Sequence, residues 1–112
     1  MANLNVKRLE RDIEKYIPMI IQREIENEVI KMITITDCEL SHDLSYCKVY
    51  FTYFGDMDHK EIEKIVNEAS PFIRGQISKL IDMRNTPVLK FTYDESIEYA
   101  QRIEDKIASL KE

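Results

Sequence analysis

The sequence predicts an α+β fold in which a three-stranded sheet is packed by helices. Three observations lead there. Apolar residues recur every three or four positions over 6–25, 62–81 and 97–110, the period of a helix. They alternate over 33–53 and again over 88–93, the period of a strand. Turn chemistry at Ser41-His42-Asp43, Gly55-Asp56 and Asn85-Thr86-Pro87 separates these stretches. Helices and strands in this order make a sheet with helices against it.

The first helix is marked by Val6, Leu9, Ile13, Ile17, Ile20, Ile21 and Ile25. Pro18 lies inside it. An interior proline removes one hydrogen bond and costs about 3 kcal/mol, so either a kink near Ile17 or two consecutive helices is expected. From Met32 the period changes. Ile33 and Ile35 alternate with Thr34 and Thr36, and the apolar phase then moves to Cys38 and Leu40. A shift of phase within one strand predicts a bulge near Asp37. In the second strand Cys47, Val49, Phe51 and Tyr53 share one face, and Tyr46, Lys48, Tyr50 and Thr52 the other. The two strands are expected to pair as a hairpin.

Asp58 followed by Glu61 has the spacing of a capping box, and Ile62, Ile65, Val66 and Ala69 mark the helix after it. Ser70-Pro71 then reads as the N-cap and first residue of another helix. Phe72, Ile73, Ile77, Leu80 and Ile81 are expected to point inward from it. The two helices meet at a sharp joint, Ala69-Ser70-Pro71. Leu89, Phe91 and Tyr93 alternate with Val88, Lys90 and Thr92 as the third strand, and Asp94 caps a last helix carrying Ile97, Ala100, Ile103, Ile107 and Leu110.

A chain of 112 residues is one domain's worth, and residues 1–112 are read as a single domain. With 44% hydrophobic and 33% charged residues it can build a core and is not a disordered segment. No stretch approaches the roughly 20 apolar residues of a membrane span, and the N-terminus has no signal-peptide core. A cytoplasmic monomer is expected. Cys38 and Cys47 are too few for a disulfide framework. The net charge of -5 opposes indiscriminate binding to nucleic acid. Charge is segregated, however. Between Phe72 and Phe91, Arg74, Lys79, Arg84 and Lys90 face one acid, Asp82, and between Met1 and Arg11, Lys7, Arg8 and Arg11 face only Glu10. One basic face is therefore possible.

The order of elements is similar to the type II KH topology, and several motifs carry the likeness further. They are Gln22-Arg23-Glu24-Ile25; the strand and turn from Ile33 to Leu44; Ser45-Tyr46-Cys47-Lys48-Val49-Tyr50; Ala69-Ser70-Pro71-Phe72-Ile73-Arg74 at the joint; and Arg84, Pro87, Phe91, Tyr93 and Asp94. With these the chain resembles the ribosome-binding factor A family. The resemblance implies a KH-like protein that binds the free small ribosomal subunit and its ribosomal RNA. It also implies support for late rRNA processing and maturation, above all in the cold, with no catalytic activity and no cofactor. Two departures matter. Pro71 stands where the family's Ala-x-Gly joint has glycine, which removes a backbone N–H donor. Glu26-Asn27-Glu28-Val29-Ile30 stands near the family's Asp-Pro-Arg-Leu and exchanges a basic residue for acids.

Arg8, Arg74, Lys79, Arg84 and Lys90 are the candidate RNA contacts, against the plainer reading of solvated helix and strand faces. Positions 74 and 79 differ by about 140° around a helix, so the stripe need not be continuous. Tyr46, Tyr50 and Phe54 are expected mainly to pack under helices, with base stacking as the rival. Cys38, His42 and Cys47 lack a fourth ligand and CxxC spacing, so no metal is expected. His42-Asp43 reads as a turn rather than an acid–base pair. The alternative function is a KH-like protein-interaction module without direct RNA binding, favoured by the acidic total and the missing Gly-x-x-Gly loop.

Overall fold

The computed structural model describes the backbone of residues 2–96 and the side chains of residues 6–96. The element order is α1 (Ala2–Glu24), α2 (Glu28–Lys31), β1 (Ile33–Leu40), β2 (Tyr46–Tyr53), α3 (His59–Glu68), α4 (Ser70–Leu80) and β3 (Val88–Tyr93). The expected last helix, Ile97 to Leu110, lies outside the described residues. The sheet has the order β1-β2-β3, with β1 antiparallel and β3 parallel to β2. The α3–α4 pair makes the crossover that a parallel neighbour requires. No helix among the described residues is long and apolar enough to cross a membrane.

One core joins all these elements. Ile13 and Ile17 of α1, Val49 and Phe51 of β2, Ile62 and Val66 of α3, Ile73 and Ile77 of α4, and Phe91 of β3 are fully buried. The phase change in β1 is a bulge, because the pairing slips between Ile35 and Asp37. Cys38 and Leu40 beyond it are buried with Cys47 of β2.

Packing overrides local signals at two places. Of the two outcomes expected at Pro18, two consecutive helices do not form, because α1 runs as one helix to Glu24. Ile13, Ile17, Ile20 and Ile21 around it are all buried, while Pro18 is exposed. Each buried isoleucine is worth about 1.5–3 kcal/mol, so together they exceed the roughly 3 kcal/mol that a proline costs. Nor does α4 bury all of its apolar residues. Ile73, Ile77 and Ile81 face the core, but Phe72 is 46% and Leu80 47% exposed. The short α2 was not evident from the pattern. It is capped by Asn27, whose side chain accepts hydrogen bonds from the backbone N–H of Val29 and Ile30.

The joint between α3 and α4 also differs from the local reading. Ala69, not Ser70, is the N-cap residue of α4, and Ser70 is its first helical residue. The Ser70 hydroxyl is buried and donates to the Leu89 carbonyl of β3 at 2.5 Å. Pro71 follows inside the first turn, where a backbone N–H has no helical partner to lose. Other side chains of α3 continue the same contact with β3. The Asn67 amide donates to the Phe91 carbonyl at 2.9 Å and accepts from the Phe91 N–H at 2.8 Å. Glu63 accepts from the Tyr93 N–H at 3.1 Å. Residues 63, 67 and 70 thus take the backbone groups along the free edge of β3 and lock the joint to the sheet.

Candidate nucleic-acid interface

The candidate cations lie on several surfaces. Arg8 of α1 and Arg84 of the loop between α4 and β3 come together on one groove of about 720 Å³. Its apolar floor includes Leu9, Tyr16, Leu44 and Ile81. Three carboxylates, Asp12, Asp43 and Asp82, line it as well. The sequence marked Asp43 as a turn residue and Asp82 as the one acid of the basic stretch, but no pattern joined them to Asp12, since the three come from different elements.

The hairpin loop forms one wall of this groove. Asp43 accepts hydrogen bonds from the Ser41 hydroxyl at 2.7 Å, the Ser45 hydroxyl at 2.7 Å and the Ser45 N–H at 3.1 Å. These donors, Ser41 first, hold its carboxyl down at about 2, so it stays ionised. Leu44 next to it has φ 64°. That is left-handed backbone, uncommon for a non-glycine residue, and it turns a partly buried side chain onto the core. The turn reading of Ser41-His42-Asp43 therefore holds, with Asp43 as its organising acceptor.

Arg74 is exposed but bound. Its Nε and one terminal nitrogen donate to the Thr86 carbonyl at 3.1 and 2.8 Å, tying α4 to the loop that carries Arg84. Lys79 borders a separate cleft of about 180 Å³ with Arg23, Glu24 and Met19 of α1. Lys90 lies exposed on the sheet face turned away from the core, directly opposite Lys48. At the joint, Pro71 and Phe72 are exposed beside Arg74, whereas Ser70 is committed to β3.

Tyr46 and Tyr50 of β2, and Phe54 just after it, are not packed under helices as expected. The helices cover the Cys47, Val49 and Phe51 side of the sheet, which is fully buried. Tyr46 is 37% exposed, Tyr50 half-buried and Phe54 92% exposed. Lys48 reaches over the Tyr50 ring at 5.8 Å from its centroid, and the Tyr50 hydroxyl donates to Glu39 at 3.4 Å. Cys38 and Cys47 are free, buried thiols, and His42 is exposed on the loop. A hydrogen bond to Cys47, then burial, pushes the Cys38 thiol far up, so it stays protonated and unreactive.

The family model for ribosome-binding factor A matches residues 5–107. The chain is 36% identical to a ribosome-binding factor A of Francisella philomiragia over 111 residues, which is 99% of this chain and 78% of that protein. Its fold is similar to the crystal structure of ribosome-binding factor A from Thermus thermophilus, with a TM-score of 0.73, 21% identity and coverage of 81% and 97% of the two chains. It is also similar to a homology model of the Thermus thermophilus ribosome-binding factor A as fitted into the cryo-EM map of a complex of 30S with that factor, with a TM-score of 0.65, 22% identity and coverage of 79% and 93%.

Proposed function

Because this chain belongs to the ribosome-binding factor A family, we propose that it binds the free small ribosomal subunit through ribosomal RNA and supports late rRNA maturation, above all in the cold. It acts as a cytoplasmic monomer, as one domain, and without a cofactor. The observation that supports an RNA contact is the meeting of Arg8 and Arg84 at one groove, two cations distant in sequence. Guanidinium groups suit phosphate because their donors form a planar fork. Lys79 and Lys90 lie outside the groove, on the α1–α4 cleft and on the outer sheet face, and add weaker phosphate contacts there. Arg74 supports the site indirectly, by holding the Thr86 carbonyl and so the Arg84 loop.

The acidic total is compatible with this reading. Asp12, Asp43 and Asp82 on the same groove exclude a loosely held polyanion and restrict phosphate to the arginine rim. The same three carboxylates also favour a second reading, a docking groove for a basic segment of a protein. Co-sedimentation with purified free small subunits separates the two. An Arg8→Glu, Arg84→Glu double variant is expected to lose association, and the parent's association is expected to weaken steeply with salt. Association that survives the double variant, or that strengthens in it, favours the protein-docking reading.

A further inference from the structure

We infer that the open face of the sheet is a stacking platform for unpaired ribonucleotides, formed by Tyr46 and Tyr50 with Lys48 and Lys90. This rests on the ribosomal-RNA reading but names a different surface and a different class of RNA. The pairing register sets the geometry. Tyr46 lies opposite Val88, Lys48 opposite Lys90, and Tyr50 opposite Thr92. Directly opposed residues share a face, so two rows with aromatic rings flank one row of lysines. Rows on the same face are about 6.6 Å apart along a strand, a step that successive nucleotides of an extended chain can follow. The side chains on the other face, Cys47, Val49, Phe51, Leu89 and Phe91, are the core.

The chemistry selects the occupant. A tyrosine ring on a flat sheet can stack on a base only when that base is unpaired, because duplex bases already stack on one another. Two opposed lysines in the middle of the face suit the phosphates between stacked bases. They suit the centre of a protein interface poorly, where lysine is depleted. Tyr46 and Val88 stay 37% and 47% exposed, so the platform is open at that end. The Lys48 contact with the Tyr50 ring, at 5.8 Å to the centroid, is a weak exposed cation–π contact that an incoming base can replace. On β1, Glu39 lies opposite Lys48 and Asp37 opposite Tyr50, both exposed, so carboxylates border the face on that side and keep phosphate towards β3. The Tyr50 hydroxyl makes a long contact of 3.4 Å with Glu39, which a bound base can give up.

The test is fluorescence anisotropy of the full chain with a labelled, unstructured pyrimidine RNA and with an RNA duplex of equal length. The single strand is expected to bind more tightly. Tyr46→Ala and Tyr50→Ala should each weaken it about 5- to 150-fold, the range for losing one stacked base. Tyr46→Phe should retain affinity, since the ring and not its hydroxyl stacks. Lys90→Glu should weaken binding and flatten its salt dependence. Duplex preference, or alanine variants that bind the single strand like the parent, overturns the platform. So does loss of subunit association in the tyrosine variants without any change in oligonucleotide affinity, which assigns the face to a protein. If the platform fails while Arg8 and Arg84 remain necessary for subunit association, the ribosomal-RNA reading stands alone.

Discussion

Replacing Asn67 by alanine should loosen β3 and the helix joint together. The Asn67 amide takes both backbone groups of Phe91, as a neighbouring strand would, at 2.9 and 2.8 Å. It also donates to the Glu63 carbonyl one turn back at 2.8 Å. Alanine removes both Phe91 partners at once. Each hydrogen bond contributes about 0.5–1.5 kcal/mol net, so the pair is worth about 1–3 kcal/mol. The upper end applies if water does not reach the vacated edge, since Phe91 itself is fully buried. At this chain length that corresponds to a fall of about 4–15 °C in melting temperature. Aspartate should do no better. It keeps an acceptor for the Phe91 N–H but faces the Phe91 carbonyl with a second acceptor, and it adds charge beside the Glu63 carboxylate that holds Tyr93. Calorimetry gives the melting shift, and amide hydrogen exchange reads the Phe91 N–H directly. A melt unchanged to within a degree, with Phe91 protection intact, refutes the view that this side chain closes the edge of β3.

Three further outcomes follow from single contacts. Ser70→Ala leaves the Leu89 carbonyl without its hydroxyl partner and should cost about 1–3 kcal/mol, read by denaturant melts; a change below about 0.5 kcal/mol means that another group takes the carbonyl. His59→Phe should stabilise the fold by about 1 kcal/mol. The His59 ring stacks on Tyr93 at 4.6 Å, and its buried Nδ1 has no hydrogen-bond partner among the described residues, so phenylalanine keeps the stack and removes the polar atom; a lower melting temperature refutes this. The hydrogen bonds from Ser41 and Ser45 hold the folded Asp43 carboxyl down at about 2 against an ordinary value of 3.8, so its contribution is complete above about pH 5 and is lost as pH falls towards 2. The melting gap between the parent and Asp43→Asn should therefore close between about pH 5 and 2, and a gap constant across that range contradicts the assigned cause.

The bulge in β1 was legible because a change of apolar phase from Ile33 and Ile35 to Cys38 and Leu40 has one structural meaning when a face is buried. The joint at Ala69 was legible from proline chemistry, but the role of Ser70 was not. A serine before proline has the local pattern of an N-cap, and its hydroxyl instead reaches a carbonyl 19 residues away. Phe72 and Leu80 were misjudged for a related reason. Helical spacing shows that a stripe is apolar, not how wide the surface opposite it is, and here the sheet has room for Ile73, Ile77 and Ile81. Segregation of charge located the cations but could not group them. Arg8 joins Arg84 because α1 lies beside the loop after α4, whereas Lys79, nearer to Arg84 in sequence, points to another cleft.

The treatment of the sheet edges narrows how this fold can recognise anything. A free strand edge invites another strand to add to it. At β3 that route is closed by Glu63, Asn67 and Ser70, which occupy the backbone groups of Tyr93, Phe91 and Leu89. At β1 the Leu40 N–H is taken by the Glu10 carboxylate of α1 at 2.7 Å, and the Cys38 N–H by the side chain of Asp37 at 2.8 Å. With the backbone along both edges engaged at these positions, recognition falls to side chains. Among the described residues, the side-chain surfaces suited to RNA are the groove at Arg8 and Arg84 and the face at Tyr46, Lys48, Tyr50 and Lys90, with Lys79 on a separate cleft. The groove has guanidinium groups among the carboxylates Asp12, Asp43 and Asp82, and the face has rings and lysines bordered on β1 by Asp37 and Glu39. A folded RNA with a single-stranded extension can use both, the structured part through its phosphates and the unpaired part through its bases. The two sets of variants should then weaken binding to such an RNA additively, because the surfaces share no residue. Strong non-additivity between Arg84→Glu and Tyr46→Ala would mean that the groove and the face form one continuous site.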